Sequence, residues 1–230
     1  MSGRAMPPLR RHQLADLNTA GWREILDRDW DAASRACLQH WADHALPLVV
    51  TRQAPPGAER HEPIWLGLAT PTCWGRRPLA LQAAPAHVAS LREFPTLAQV
   101  LQELPLMAQA PLRQLDAALH AQGCRAHAYG SAGWQQLTGL AYLHDRSDLD
   151  LWLAIDNAEQ ADTVTGLLHQ CASTVRLDGE LMFPDGSAVA WREWAAWRAG
   201  RCRQVLVKRL HGASLEDAPP TLSAAWPRVA

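Results

Sequence analysis

Gly130-Ser131-Ala132-Gly133-Trp134-Gln135-Gln136-Leu137-Thr138-Gly139, followed by Ser147-Asp148-Leu149-Asp150-Leu151, places a glycine–serine turn ahead of two aspartates on one strand, with sixteen residues between Ser131 and Asp148. Successive side chains of an extended strand alternate between faces, so Asp148 and Asp150 project together, about 6.5–7 Å apart along the backbone. Leu149, Leu151, Leu153 and Ile155 project the other way. Carboxylates held that close oppose each other's ionisation. Bound Mg²⁺ removes the penalty, and phosphates are its usual companions in such sites. Gly130 lets the backbone approach a phosphate, and Ser131 offers a hydroxyl and an amide. Together they imply metal-dependent phosphoryl or nucleotidyl transfer.

That chemistry relies on positioned metals more than on a covalent catalyst. Two ions roughly 3.5–4 Å apart clamp the attacking and leaving oxygens, and two carboxylates do not hold both. A third acid is expected from a neighbouring strand about 4.8 Å away. In Arg176-Leu177-Asp178-Gly179-Glu180-Leu181, Arg176, Asp178 and Glu180 share a face. Asp178 is the first choice for the third ligand, and Glu180 is the alternative or the group that orients a nearby cation. Leaving-group charge calls for Arg146, Arg192, Arg203, Lys208 or Arg209. A Gly-Ser dipeptide alone, or Asp-x-Asp alone, is an ordinary solvated turn or strand face; the order of all three elements carries the argument.

The patterning implies an α+β chain. Residues 1–84 are expected to form a small β-rich domain, with strands at Pro47–Thr51, Ile64–Ala69 and Pro78–Gln82 and a helix from Ala32 to His44. Residues 85–110 read as a proline-punctuated linker with short helices at Val88–Arg92 and Leu97–Leu104. Residues 111–215 form the catalytic domain. There, Pro111 opens a helix that Gly123 stops, Arg125–Tyr129 is a strand, Trp134–Leu140 a helical turn, and Ser147–Ile155 the acidic strand. A capped helix (Asn157–Ala172), strands at Thr174–Phe183 and Ala188–Arg192 and a tryptophan-rich helix follow. Residues 216–230 are a tail, and the first ten residues a frayed arm.

With 230 residues and 48% hydrophobic content, the chain can bury a real core, and a net charge of −1 excludes a broad basic field for nucleic acid. Lys208 is the only lysine, a bias that fits a GC-rich genome as well as a preference for arginine at phosphate. Five scattered cysteines read as reduced thiols rather than a zinc site, and no apolar run has the length of a signal peptide or membrane span, so a cytoplasmic protein is expected. His40 and His44 sit four apart on a helix without a third ligand, which reads as packing or surface. Most of the eleven tryptophans read as core, with Trp134 and Trp152 flanking the acids.

The Gly-Ser turn with its Asp-x-Asp strand resembles the nucleotidyltransferase superfamily, which implies a polymerase-β-like fold for the C-terminal domain. The Trp134-Gln135-Gln136-Leu137-Thr138-Gly139 insert with Tyr142-Leu143 is similar to the malonate decarboxylase holo-acyl-carrier-protein synthase family, the phosphoribosyl-dephospho-CoA transferases. So are Asp178-Gly179-Glu180-Leu181, Asp185-Gly186, Ala188–Trp194 and Val205-Leu206-Val207-Lys208, with fainter likeness at Leu46–Arg52, Gly67 and Arg76-Arg77. The resemblance implies a donor, 2′-(5″-triphosphoribosyl)-3′-dephospho-CoA, and an acceptor serine on the apo acyl carrier subunit of malonate decarboxylase, with pyrophosphate released. It implies that Asp148 and Asp150 bind Mg²⁺, with Asp178 or Glu180 in the downstream acidic strand. Carrier proteins of this kind are acidic, so arginines such as Arg10, Arg11, Arg76 and Arg77 are docking candidates. The competing expectations are an ATP-dependent nucleotidyltransferase acting on another small molecule or protein, and a non-catalytic carrier-binding module.

Overall fold

The computed structural model describes residues 7–55, 57 and 62–217; the tail beyond Asp217, residues 1–6 of the N-terminal arm and Pro56 of the proline-rich loop lie outside them. The chain separates into two compact units, residues 1–93 and 94–230. Among the described residues, it is an α+β protein of seven α-helices and eleven strands. No helix among them is long and apolar enough to cross a membrane.

The first unit contains β1 (Leu14–Leu17), α1 (Thr19–Leu26), α2 (Ala32–Asp43), β2 (Leu48–Val50), β3 (Ile64–Ala69), β4 (Pro78–Ala83) and β5 (Val88–Arg92). Its strands form one antiparallel sheet in the order β4-β3-β2-β1-β5. Asn18 caps α1 by accepting from the Gly21 amide at 2.9 Å, and Asp31 caps α2 by accepting from Ala33 and Ser34 at 3.0 Å. Trp22 and Ile25 of α1 and Cys37, Leu38 and Trp41 of α2 are buried, as are Leu14, Leu48, Leu66 and Leu81 of the strands. His40 and His44 stack on each other with ring centroids 4.1 Å apart.

The short helix expected at Val88–Arg92 is a strand. Pro85–His87 makes a single 3₁₀ turn, after which the chain pairs with β1. Alternate residues Ser90 and Arg92 both reach Asp16, at 2.7 Å and 3.1 Å, the period of an extended chain. Residues 85–110 thus hold the edge strand of the first sheet, helix α3 (Leu97–Val100) and the start of α4 (Leu106–Ala121).

In the second unit, β6 (Ala126–Tyr129), α5 (Gly130–Thr138), β7 (Leu149–Ala154), α6 (Ala158–Gln170), β8 (Leu177–Met182), β9 (Ala188–Ala190), α7 (Trp191–Arg198), β10 (Val205–Arg209) and β11 (Gly212–Glu216) follow α4. They build a mixed sheet in the order β11-β10-β9-β8-β7-β6, in which β7 and β8 are parallel and the other pairs antiparallel. Parallel neighbours need a crossover, and α6 supplies it. This helix-backed mixed sheet is compatible with the nucleotidyltransferase layout expected of residues 111–215.

One face of the sheet is oily. Leu149, Leu151, Leu153 and Ile155 pack with Leu112, Leu115 and Leu119 of α4, Val164 and Leu168 of α6, and Trp191 and Trp194 of α7. Burying side chains of this size stabilises by roughly 1.5–3 kcal/mol each, which fixes which way β7 faces. Its other face therefore presents Asp150, Trp152 and Ala154. Helix α4 starts five residues before the expected Pro111, which lies inside it. Leu106 and Met107, 80% and 76% exposed, fall outside the buried stripe Ala108-Leu112-Leu115-Leu119, so periodicity did not mark the first turn.

Candidate active site

The Gly-Ser pair is the first turn of helix α5, entered directly from β6. Gly130 has φ +61°, a left-handed conformation that L side chains adopt at a cost of about 1–2 kcal/mol. A Cβ there would also overlap Asp150 Oδ2, so glycine is required both for the turn and for the approach of Asp150. The backbone N–H groups of the first turn have no partners within the helix, which makes the end of α5 a place for anionic oxygen.

The segment after α5 is held by side chains of that helix. Gln135 accepts from the Tyr142 and Leu143 amides at 3.1 and 3.0 Å and donates to Glu103 at 2.7 Å. Trp134 packs edge-on against Phe94 and lies nearly parallel to Tyr142, while Thr138 accepts from the Leu140 amide at 3.2 Å. The chain therefore reaches Ser147 along a fixed route, and Ser147 Oγ accepts from the His144 amide at 3.0 Å just before Asp148.

Three carboxylates converge at the start of the two parallel strands. Asp148 immediately precedes β7, Asp150 lies on it, and Asp178 is directly opposite Asp150 in register on β8. Gly179, at φ +139°, lets β8 run against β7 where a Cβ would strike the Leu151 carbonyl, and its amide donates to Asp178 Oδ1 at 2.8 Å. Burial pushes the Asp150 carboxyl up to about 6, with the charges of Asp178, Asp148 and Glu180 adding to the effect and Arg176 opposing it.

Arg176 is a cation beside these acids. Its guanidinium lies 3.5 Å from Asp148 and 3.8 Å from Asp178, and its carbonyl accepts from the Leu149 amide at 2.9 Å. The sequence places Arg176 on the face of Asp178, but only the parallel register reveals that it also meets Asp148. Among the described residues, no three His, Cys, Asp or Glu side chains already surround a single ion position.

The remaining sequence-derived candidates are dispersed. Glu180, opposite Trp152, has a side chain only 5% exposed and is paired with Lys208 Nζ at 2.7 Å. Arg192 donates to the Leu177 carbonyl at 2.9 Å and stacks on Trp191, and Arg209 pairs with Glu216. Arg146 is exposed in the loop before Asp148, and Arg203 is exposed before β10. Trp152 shares the face of Asp150 and stacks on His127 at 4.5 Å. Of the arginines considered for docking, Arg10 pairs with Glu93 at 2.7 Å, Arg77 with Asp31 at 3.2 Å, and Arg76 donates to Thr72.

Comparison with known proteins identifies the family. Residues 96–219 match the phosphoribosyl-dephospho-CoA transferase MdcG C-terminal domain, and residues 10–94 match the N-terminal domain of the same family. A phosphoribosyl-dephospho-CoA transferase of Xanthomonas axonopodis pv. citri is 40% identical over 187 residues, 79% of this chain and 85% of the relative. One from Bradyrhizobium diazoefficiens is 34% identical over 220 residues, 95% and 94% of the two chains. No solved structure matches. With both halves matched in order and one relative aligned nearly end to end, this chain belongs to the phosphoribosyl-dephospho-CoA transferase family of enzymes.

Proposed function

We propose that this enzyme transfers the phosphoribosyl-dephospho-CoA group from 2′-(5″-triphosphoribosyl)-3′-dephospho-CoA to a serine of the apo acyl carrier subunit of malonate decarboxylase, releasing pyrophosphate. The observation that carries the reading is the register of β7 on β8, with Asp150 and Asp178 opposed, Asp148 beside them and the N-terminus of α5 adjoining through Gly130. The family's name supplies the transferred group.

The donor set suits a divalent ion. Carboxylate oxygens are hard ligands of the kind Mg²⁺ prefers, and Asp150 is raised first by burial and then by the neighbouring charges of Asp178, Asp148 and Glu180. Asp148, Asp150 and Asp178 would hold the ion; Glu180 is already neutralised by Lys208. When bound, the ion supplies Lewis-acid stabilisation of charge on the phosphate oxygens.

The carrier serine forms a bond from its oxygen to the α-phosphorus, and the bond from that phosphorus to pyrophosphate breaks. A serine hydroxyl is a weak nucleophile near neutral pH, so its proton passes to a carboxylate of the cluster. Asp178, half-exposed and steadied by the Gly179 amide, would take it. The first-turn amides of α5 at Gly130, Ser131 and Ala132 would orient phosphate oxygens.

The test is mass spectrometry of the purified apo carrier after incubation with enzyme, Mg²⁺ and the triphosphoribosyl donor. A mass increase on serine, lost in Asp148→Asn and Asp150→Asn, is expected. No increase with that donor, together with consumption of ATP on another acceptor, replaces this reading with a general nucleotidyltransferase.

A further inference from the structure

The cluster has two cationic neighbours held in opposite ways. Lys208 is 2.7 Å from Glu180, a carboxylate that is almost wholly buried; leaving it would strand a buried charge, so this pair is fixed. Arg176 approaches Asp148 and Asp178 only to 3.5 and 3.8 Å, with its side chain 63% exposed. Those separations exceed hydrogen-bonding distance, and exposed ion pairs of this kind are worth little. The guanidinium can therefore leave at small cost, yet while it remains it draws together two of the three acids assigned above to the ion. Arg192, Arg209 and Arg10 each have partners elsewhere, so no other arginine among these takes its place.

We propose that Arg176 is an internal counter-ion of the Asp148–Asp150–Asp178 cluster, neutralising it before the divalent ion arrives and competing with that ion for Asp148 and Asp178. The proposal rests on the reading of these acids as the metal site. Arg176 acts as a positioning residue: it keeps the acids close without a metal and sets how much free ion is needed to displace it. Its backbone helps to hold it there, because the Arg176 carbonyl accepts from the Leu149 amide, between Asp148 and Asp150.

The experiment is direct Mn²⁺ binding to the full chain, by electron paramagnetic resonance of the free ion, with wild type, Arg176→Gln, Arg176→Lys and Asp150→Asn. Arg176→Gln should bind Mn²⁺ about three- to tenfold more tightly at low salt, a gain of the size expected from removing one screened charge. That gain should shrink by at least half in 0.5 M KCl, and Arg176→Lys should stay within about twofold of wild type. A thermal melt adds a readout that a purely structural role would not move: without divalent ion Arg176→Gln should melt below wild type, and saturating Mg²⁺ should close the gap. Equal or weaker Mn²⁺ affinity in Arg176→Gln, or no binding by either protein, overturns the proposal. Affinity unchanged in Asp150→Asn instead overturns the metal site itself, so the two failures are distinguishable.

Discussion

Asp150→Asn should separate stability from activity, because the group proposed to serve the reaction is also a carboxylate whose burial opposes its charge. The asparagine keeps the shape that fits beneath Gly130 and removes the charge. In the folded chain the Asp150 carboxyl is raised from the ordinary 3.8 to about 6, and each tenfold change in proton affinity corresponds to about 1.4 kcal/mol. The ionised group therefore opposes folding by at most roughly 3 kcal/mol, reduced to about 1–2 kcal/mol by its partial exposure and solvent screening. The sign follows from the two protonation states. Below about pH 4 the carboxyl is protonated whether folded or not and adds nothing. Between about 4 and 6 the folded state holds the extra proton, so the penalty grows as pH rises, and above 6 it is complete. Asp150→Asn should thus gain about 1–2 kcal/mol at pH 7.5 in metal-free buffer, a rise in Tm of roughly 2–8 °C for a chain of this size. The gain should fall to roughly a third of that at pH 4.5, while transfer to the carrier falls below detection. Paired melts at the two pH values check this. No gain at pH 7.5, or an equal gain at both, would refute the account of Asp150 as a strained carboxylate.

Other substitutions probe the supports of the site. Gly130→Ala should lose at least a hundredfold in turnover with a stability loss of about 1–3 kcal/mol, since the methyl group meets Asp150 and the backbone is left-handed; turnover within tenfold of wild type would contradict it. Gly179→Ala should fail to accumulate as folded protein, because its Cβ would run into the β7 backbone, as circular dichroism of any recovered protein would show. Lys208→Met should destabilise by about 3 kcal/mol by stranding Glu180, and Lys208→Met with Glu180→Leu should regain most of it, measured as a double-mutant cycle in urea. Gln135→Ala should cost about 1–3 kcal/mol and speed hydrogen exchange at the Tyr142 and Leu143 amides, leaving exchange in β7 unchanged.

The acidic strand was legible because its two faces differ so sharply: four large aliphatic residues against two aspartates leave one arrangement with the oil inside. The convergence of Asp178 on Asp150 was legible as a shared strand face but not as a register, which depends on how α6 returns the chain. That same register brings Arg176 to Asp148, and a lone arginine two residues before an aspartate carries no sign of it. The pairing of Glu180 with Lys208 needs three strands in line: Met182 faces Ala188, which faces Lys208. No local pattern encodes that alignment. Strand β5 was misread because Val88–Arg92 has no oily alternation: its residues are exposed or half-buried at the sheet edge, and Asp16 on the neighbouring strand supplies their hydrogen bonds. Helix α1 is too short to show a period, with Trp22 and Ile25 as its buried large residues.

Lys208 has a consequence of a more practical kind. Since every other cationic side chain apart from histidine is arginine, it provides the chain's single side-chain amine, and the buried Glu180 carboxylate holds that amine on the face of the sheet that carries Asp150. Acylating reagents at mild pH thus have one internal target, and they reach it freely only when the Glu180 contact loosens. The rate at which Lys208 is labelled becomes a built-in gauge of how tightly β8, β9 and β10 stay closed, readable on the unmodified sequence without an introduced probe.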